Sequence, residues 1–282
     1  AGYDLPENVK VHYISFDELK NKFQSHFNFK ISLERPYKLC DYKPTYGEMF
    51  SEYLTGYDFW GHCDIDLLWG NIRRFVTDEK LKKYNKLYRN GHCILYKNDP
   101  VVNSLYRTLK SGIYPDFKQV FSSDESFGFD EGRELSEIIS LSGMNFYVKQ
   151  DFADIFSGLK FSPVKREDLQ VKNLYFEWNN GNLFACCDKN KLDEVLYLHW
   201  HGNGKIIFRD KEFLNSSKFL FVPPSLVTCD EKYINPSKWV IPKIWFYVRV
   251  CILRNTVIST LKFILPSKVY KYLKRLKSSF SA

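Results

Sequence analysis

Beyond Glu231 the chain has no aspartate or glutamate, while 11 of its 41 lysines and arginines lie there. That leaves 30 basic against 33 acidic side chains in residues 1–231, so the formal net charge of +8 belongs to one end. Glycine and proline are scarce, at 14 and 11 in 282 residues, which argues against a disordered chain. The seven cysteines (40, 63, 93, 186, 187, 229 and 251) form no Cys-x-x-Cys pair. Their odd number and scatter argue against a disulfide framework or a structural zinc site, and for thiols in a reducing cytoplasm. Residues 1–8 are largely polar and hold no apolar core of a signal peptide. No stretch reaches the roughly 18–20 uncharged apolar residues of a spanning helix, and no glycine-rich phosphate loop occurs.

Aromatic residues are abundant, at 17 %. The length allows a substantial core, in one large domain or one domain with an appendage. Val9, Val11 and Tyr13 alternate with Lys10, His12 and Ile14 and predict a short strand. Ser15-Phe-Asp-Glu18 matches a capping box, so a helix should run from about Phe16 to Phe27. Residues 34–47 read as a structured loop, and Met49, Phe50, Tyr53 and Leu54 give helical spacing before Gly56. A strand at 57–63, a helix at 78–88, a strand at 91–97 and a helix at 99–110, opened by Pro100, follow. Residues 113–130 look like loop, 131–141 like helix and 145–148 like strand. Between 171 and 201 lie β-type runs, with Asn179-Asn-Gly181 marking a hairpin. Strands alternating with helices, then hairpins, fit an α/β domain with a mixed sheet.

Residues 57–70 read Tyr-Asp-Phe-Trp-Gly-His-Cys-Asp-Ile-Asp-Leu-Leu-Trp-Gly. In an extended segment positions i and i+2 share one side, which would bring Asp64 and Asp66 together at the end of a buried strand. Two carboxylates held close call for a cation, and a hard divalent ion is the natural one. A solvated turn is the plainer alternative for Asp-x-Asp, but such turns are not usually flanked by Phe59-Trp60 and Leu67-Leu68-Trp69. Trp60 and Trp69 read as core, and His62 and His92 as packing or hydrogen-bonding residues. Asp130 and Glu131 follow an aromatic, glycine-containing loop and open a helix, whose N-terminus favours an ionised carboxylate. They are candidates for a general base, with helix capping as the alternative.

Tyr37-Lys-Leu-Cys-Asp-Tyr-Lys-Pro-Thr-Tyr-Gly47, Gly56 to Asp66 and Gly70-Asn-Ile-Arg73 together resemble a bacterial glycosyltransferase family of capsule and O-antigen gene clusters. The likeness continues through Gly91–Tyr96, Phe121-Ser-Ser, Phe127–Glu131 and Leu196–His199, and so covers roughly residues 6–200. It implies a GT-A-like Rossmann-type mixed sheet flanked by helices, binding a UDP-sugar beside Mn²⁺ or Mg²⁺. It further implies Asp66 as direct metal ligand, Asp64 holding the ribose or sharing the metal, and Lys38, Asp41 and Lys43 near the nucleotide. His199, at the end of a β-type run, resembles the late histidine that is a third metal ligand in several such enzymes; His201 is its rival. Relatives carry a further apolar strand upstream of Tyr3, which the resemblance leads one to expect beside this sheet. They also place tryptophan after Phe-Asp-Glu, where this chain has Gly132.

The expected organisation is a GT-A-like domain over 1–231 and a cationic amphipathic tail over 232–282. In the tail, Val269, Leu273, Leu276 and Phe280 share one helical face, ringed by Lys268, Lys271, Lys274, Arg275 and Lys277. Such a segment suits an anionic membrane surface; a basic helix packed on the body is the alternative. Nucleic acid is not expected, because no binding module accompanies the charge. The expected activity is transfer of a hexose, with galactose or galactofuranose suggested by the family context, from a UDP-sugar to a lipid-linked glycan. The setting would be peripheral, on the cytoplasmic face of the bacterial plasma membrane. Alternatives are another metal-dependent nucleotide-using transferase, and an inactive fragment or membrane scaffold.

Overall fold

The structure is a computed structural model. It describes residues 5–108, 115–129, 142–155, 174–187, 190–200, 207–208, 216–222 and 225–228. The helix expected at 131–141, the cationic tail and the division at 231/232 lie outside these residues. The chain is mixed α/β and forms two compact units. The first comprises Ala1–Ile65 and Val76–Gln150; the second joins Asp66–Phe75 to the chain from Asp151 onward.

In chain order the strands are β1 (Phe59–Cys63), β2 (Leu67–Trp69), β3 (Lys86–Leu87), β4 (Cys93–Lys97), β5 (Phe146–Tyr147) and β6 (Ala153–Ile155). They continue with β7 (Leu174–Asn179), β8 (Asn182–Cys187), β9 (Asn190–Val195), β10 (Tyr197–Trp200), β11 (Ile207–Phe208), β12 (Lys218–Val222) and β13 (Ser225–Thr228). The helices are α1 (Phe16–Ser25), α2 (Leu39–Tyr42), α3 (Tyr46–Met49), α4 (Ile72–Phe75), α5 (Asp78–Lys83), α6 (Pro100–Asn103) and α7 (Phe117–Ser122). Among the described residues no helix is long and apolar enough to cross a membrane.

In the first unit, α1 starts where the capping box places it: the Ser15 hydroxyl accepts from the Glu18 amide at 3.2 Å, and Glu18 accepts from the Ser15 amide at 2.8 Å. Its Phe23 enters a core with Phe27, Ile31, Leu33, Tyr42, Met49, Trp60, Ile94 and Phe121. Each fully buried side chain of this kind stabilises the unit by about 1.5–3 kcal/mol. Residues 36–53, read as a structured loop and then helical spacing, are a series of single turns: Pro36–Lys38, α2, Lys43–Thr45, α3 and Ser51–Tyr53. Pro44 has no amide hydrogen to donate to a preceding carbonyl, so α2 cannot continue through it. Gly47 lets the next turn approach β1, since a Cβ there would lie 2.6 Å from the Trp60 ring. Trp60, 5 % exposed, stacks on Tyr96 with centroids 4.6 Å apart and is core, as its setting predicts.

The sheet of this unit has the order β1-β4-β3-β5, antiparallel except for the β3–β5 pair. Several expectations change here. Residues 9–13 form no strand, because among the described residues no ladder reaches them; Tyr13 is 92 % exposed. The helix expected at 78–88 stops at Lys83, since Lys86 and Leu87 are taken into the ladder with β4 and β5. The helix expected at 99–110 breaks after Asn103 into a 3₁₀ turn at Leu105–Arg107. Conversely, α7 occupies part of the supposed loop, opened by an Asp116–Gln119 capping box.

In the second unit, β2-β10-β6 form a small sheet and β11-β13-β12-β7-β8-β9 a larger one. The hairpin between β7 and β8 turns at Asn180 and Gly181, with φ of 48° and 82°, as the Asn-Asn-Gly signal predicts. Trp178 stacks on its cross-strand neighbour Phe219 at 5.0 Å, and its indole N–H donates to the Trp69 carbonyl at 3.0 Å. Gly70 follows β2 where a Cβ would meet the Val195 carbonyl at 2.7 Å. Its amide donates to Leu196 at 2.8 Å, which fixes β2 beside β10.

Candidate functional site

The chain does not run extended through Asp64-Ile65-Asp66. Strand β1 ends at Cys63, the backbone bends at Ile65 and Asp66, and β2 begins at Leu67. Strict strand alternation therefore does not continue through the bend. Ile65 is fully exposed there. The two aspartates also belong to different compact units, and each has its own electrostatic partner.

Asp66 enters the second unit at the head of β2. Strand β10 lies between β2 and β6, with His199 opposite Leu67 on one side and opposite Asp154 on the other. The His199 Nδ1 is 3.0 Å from Asp154 Oδ1, and its Nε2 is 3.7 Å from Asp66 Oδ1. His199 and Asp154 are buried, at 5 % and 9 % exposure, whereas the Asp66 side chain is 32 % exposed. An ionised carboxylate can only accept from the ring, so Asp154 fixes its orientation through Nδ1 and turns Nε2 towards Asp66. The 3.7 Å separation is too long for a hydrogen bond. It suits two donor atoms that share a cation, with Asp154 as the carboxylate behind a ligating imidazole. One imidazole and one carboxylate fit Mn²⁺ better than Mg²⁺, which favours an all-oxygen, largely hydrated shell.

In the first unit, Asp64 pairs with Lys43, whose Nζ lies 2.7 Å from its carboxylate and 3.0 Å from the Gly91 carbonyl. The Asp64 amide donates to the His92 carbonyl at 2.9 Å, extending the β1–β4 ladder by one residue. Lys43 is 9 % exposed, so its charge is directed to Asp64 rather than left in water. Burial and the neighbouring Asp64 carboxylate push the Cys63 thiol above its ordinary range. His62 packs edge-on against Tyr46 at 6.2 Å, and burial holds its pKa well below the usual histidine value. That agrees with a packing role.

Lys38 and Asp41, expected beside a nucleotide, are both at 0 % exposure. The Lys38 ammonium donates to Asp41 Oδ2 at 2.8 Å, to the Val120 carbonyl at 2.9 Å and to the Glu125 carbonyl. Asp41 Oδ1 accepts from the amides of Phe127 at 3.1 Å and Phe129 at 3.0 Å. Gly128 lies between those two amides with φ of +65°, a conformation that lets both point at one carboxylate. This pair pins the 120–129 segment, and in this conformation neither group reaches a ligand.

Asp130, Glu131 and His201 lie outside the described residues. Asp154 is the site residue that sequence reasoning missed. Its signal was there: an acid inside the apolar run Phe152-Ala-Asp-Ile-Phe156, the same kind of setting that singled out Asp64 and Asp66.

Neither the curated proteins nor the solved structures contain a match to the chain. The model of one protein family, a family of unknown function designated DUF6625, matches residues 1–229. With more than three quarters of its length matched in one continuous span, the chain belongs to the DUF6625 family.

Proposed function

We propose that this chain is a metal-dependent glycosyltransferase of GT-A-like type, transferring a hexose from a UDP-sugar to a lipid-linked glycan. The observation that carries the reading is the Asp154–His199–Asp66 arrangement. A buried carboxylate orients an imidazole whose other nitrogen faces a second, partly exposed carboxylate. Mn²⁺ or Mg²⁺ held by Asp66 and His199 would offset the charge that develops on a leaving diphosphate. Asp154 would keep His199 in the tautomer that ligates. The nucleotide-facing roles of Lys38, Asp41, Lys43 and Asp64, and the role of Asp130 or Glu131 as base, rest on the sequence reading alone. So does transfer of galactose in pyranose or furanose form, which makes those donors the first to try.

A donor screen tests the reading: hydrolysis of UDP-sugars by the full chain, followed with and without Mn²⁺. Metal-dependent release of UDP from one donor is the expected result. No turnover of any UDP-hexose, or turnover indifferent to chelation, would sink it.

The proposed setting is the cytoplasmic face of a bacterial plasma membrane, supported by the acid-free stretch after Glu231. Each lysine or arginine near an anionic surface is worth about 1 kcal/mol. The full chain should therefore float with vesicles containing phosphatidylglycerol and not with neutral ones. Changing Lys268, Lys271, Lys274, Arg275 and Lys277 together to Gln should return it to the soluble fraction. Equal flotation of the variant would remove the tail from the account.

A further inference from the structure

We propose that Cys63 and Cys93 form a redox-responsive thiol pair, which a peroxide closes to an intrachain disulfide across β1 and β4. The two residues face each other directly in the antiparallel register. In such a ladder, directly opposed pairs alternate between hydrogen-bonded and non-hydrogen-bonded, and side chains approach most closely in the latter. The Asp64 amide donates to His92 at 2.9 Å and the Asn98 amide to Asp58 at 2.7 Å. These bonds mark the pairs of residues 64 with 92 and 58 with 98 as hydrogen-bonded. Counting along the ladder makes Cys63 and Cys93 a non-hydrogen-bonded pair. Their Cα atoms are then about 4.5 Å apart, inside the roughly 4.4–6.8 Å span that a disulfide bridges.

Exposure divides the roles. Cys63 is exposed and Cys93 is buried, at 5 %, and both are free thiols. Among the described residues β1 pairs only with β4, so Cys63 sits on an edge strand that a small oxidant can approach. The Cys63 thiol, held above its ordinary range by burial and by Asp64, reacts through its minor thiolate fraction. The proton goes to water, the sulfur attacks one peroxide oxygen, an S–O bond forms, the O–O bond breaks and water leaves, giving a sulfenic acid. The Cys93 sulfur then attacks the Cys63 sulfur; the S–S bond forms, the S–O bond breaks and a second water leaves. Two thiols and one hydrogen peroxide become one disulfide and two waters, and the two electrons pass to the peroxide. A thiol reductant reverses the change by exchange. A buried partner directly opposite makes ring closure intramolecular and disfavours capture of Cys63 by another chain.

Closure also has a structural consequence. Opposed Cβ atoms in an open pair lie about 4.5–5.5 Å apart, whereas a disulfide holds them near 3.8 Å. The bond therefore draws the end of β1 towards β4 at the residue before Asp64. This inference does not depend on the glycosyltransferase reading.

The test is a disulfide map of the native full chain. After exposure to hydrogen peroxide, remaining thiols are alkylated, and the protein is digested with trypsin and a glutamate-specific protease, which separates Cys63 from Cys40. The expected product is a single linked peptide pair containing Cys63 and Cys93, lost on treatment with dithiothreitol. Cys93→Ser should abolish that link and leave Cys63 as sulfinic acid or as an interchain disulfide. Finding Cys93 still alkylatable in the oxidised wild-type chain, with Cys63 overoxidised or joined elsewhere, overturns the proposal. Because that outcome is read on the wild-type chain, it stands even if the variant does not fold.

Discussion

Asp66→Ala should remove Mn²⁺ binding by the full chain, while Asp154→Asn should leave the site but weaken it by roughly 10–100-fold. The difference follows from where each carboxylate stands. Asp66 would lose a donor atom outright, and His199 alone is too poor a site for a hard cation. Asp154 would act through the imidazole and not as a ligand; it lies 3.0 Å from Nδ1 and so sets which nitrogen faces Asp66. An amide in its place can still accept a hydrogen bond, but it holds the imidazole less firmly and leaves its nitrogen less basic. His199→Ala should match Asp66→Ala. Titration calorimetry, or the solution electron-spin signal of free Mn²⁺, reads all three variants without any substrate. If Asp66→Ala and wild type bind Mn²⁺ equally, the carboxylate–histidine arrangement is a structural ion-pair cluster and the proposed chemistry fails with it. Asp64→Ala adds a control within the same motif. Its carboxylate is paired with Lys43 at 2.7 Å, so its loss should affect the fit of the 43–91 region more than the first-order affinity for metal.

Much of this site was legible in the sequence, but the reason given for it was incomplete. Asp66 stood out as a carboxylate in an apolar setting and His199 as a late histidine at the end of a β-type run, and their meeting follows from β10 pairing with β2. The expectation for Asp64 and Asp66 rested on period-two alternation, whereas the strand stops at Cys63 and the chain bends at Ile65 and Asp66. Strand periodicity describes a strand only while it lasts, and nothing in Cys-Asp-Ile-Asp says where it stops. The same limit explains residues 9–13. Their alternating pattern is real, yet a strand needs a ladder partner, which a local window does not contain. Capping boxes did better because both partners of a capping bond lie within three residues. Ser15–Glu18 announced α1, and the Asp116–Gln119 box of α7 carried the same signal without being read. The 34–47 block failed differently. The resemblance implied Lys38 and Asp41 beside a nucleotide, whereas both are wholly buried, paired with each other and bonded to carbonyls and amides some 80 to 90 residues away. Sequence shows which charges are present, but long-range closure decides which of them meet water.

That closure carries the second large expected effect: Asp41→Ala should destabilise the chain by about 3–5 kcal/mol, the usual cost of stripping one partner from a buried ion pair. The Lys38 ammonium would remain at 0 % exposure with only the Val120 and Glu125 carbonyls for its three protons. The amides of Phe127 and Phe129 would lose their acceptor at the same time, and each orphaned buried donor costs about 1–3 kcal/mol. These terms overlap, because the 120–129 segment can move away and hydrate its polar groups. The measured loss should therefore sit nearer the range for the pair than the sum. Asp41→Asn should cost less, since its carbonyl oxygen can still accept from the amides while the charge pairing is lost. Lys38→Met with Asp41→Leu isolates the electrostatic part. Removing both charges relieves the unpaired ammonium but still leaves two carbonyls and two amides unsatisfied, so recovery should be partial. Urea unfolding of the four proteins separates the cases. If Asp41→Ala loses less than about 1 kcal/mol, a typical net hydrogen bond, the segment is not held by this pair. In that event Lys38 and Asp41 become available to a ligand after all, and the role that the sequence block first suggested for them returns.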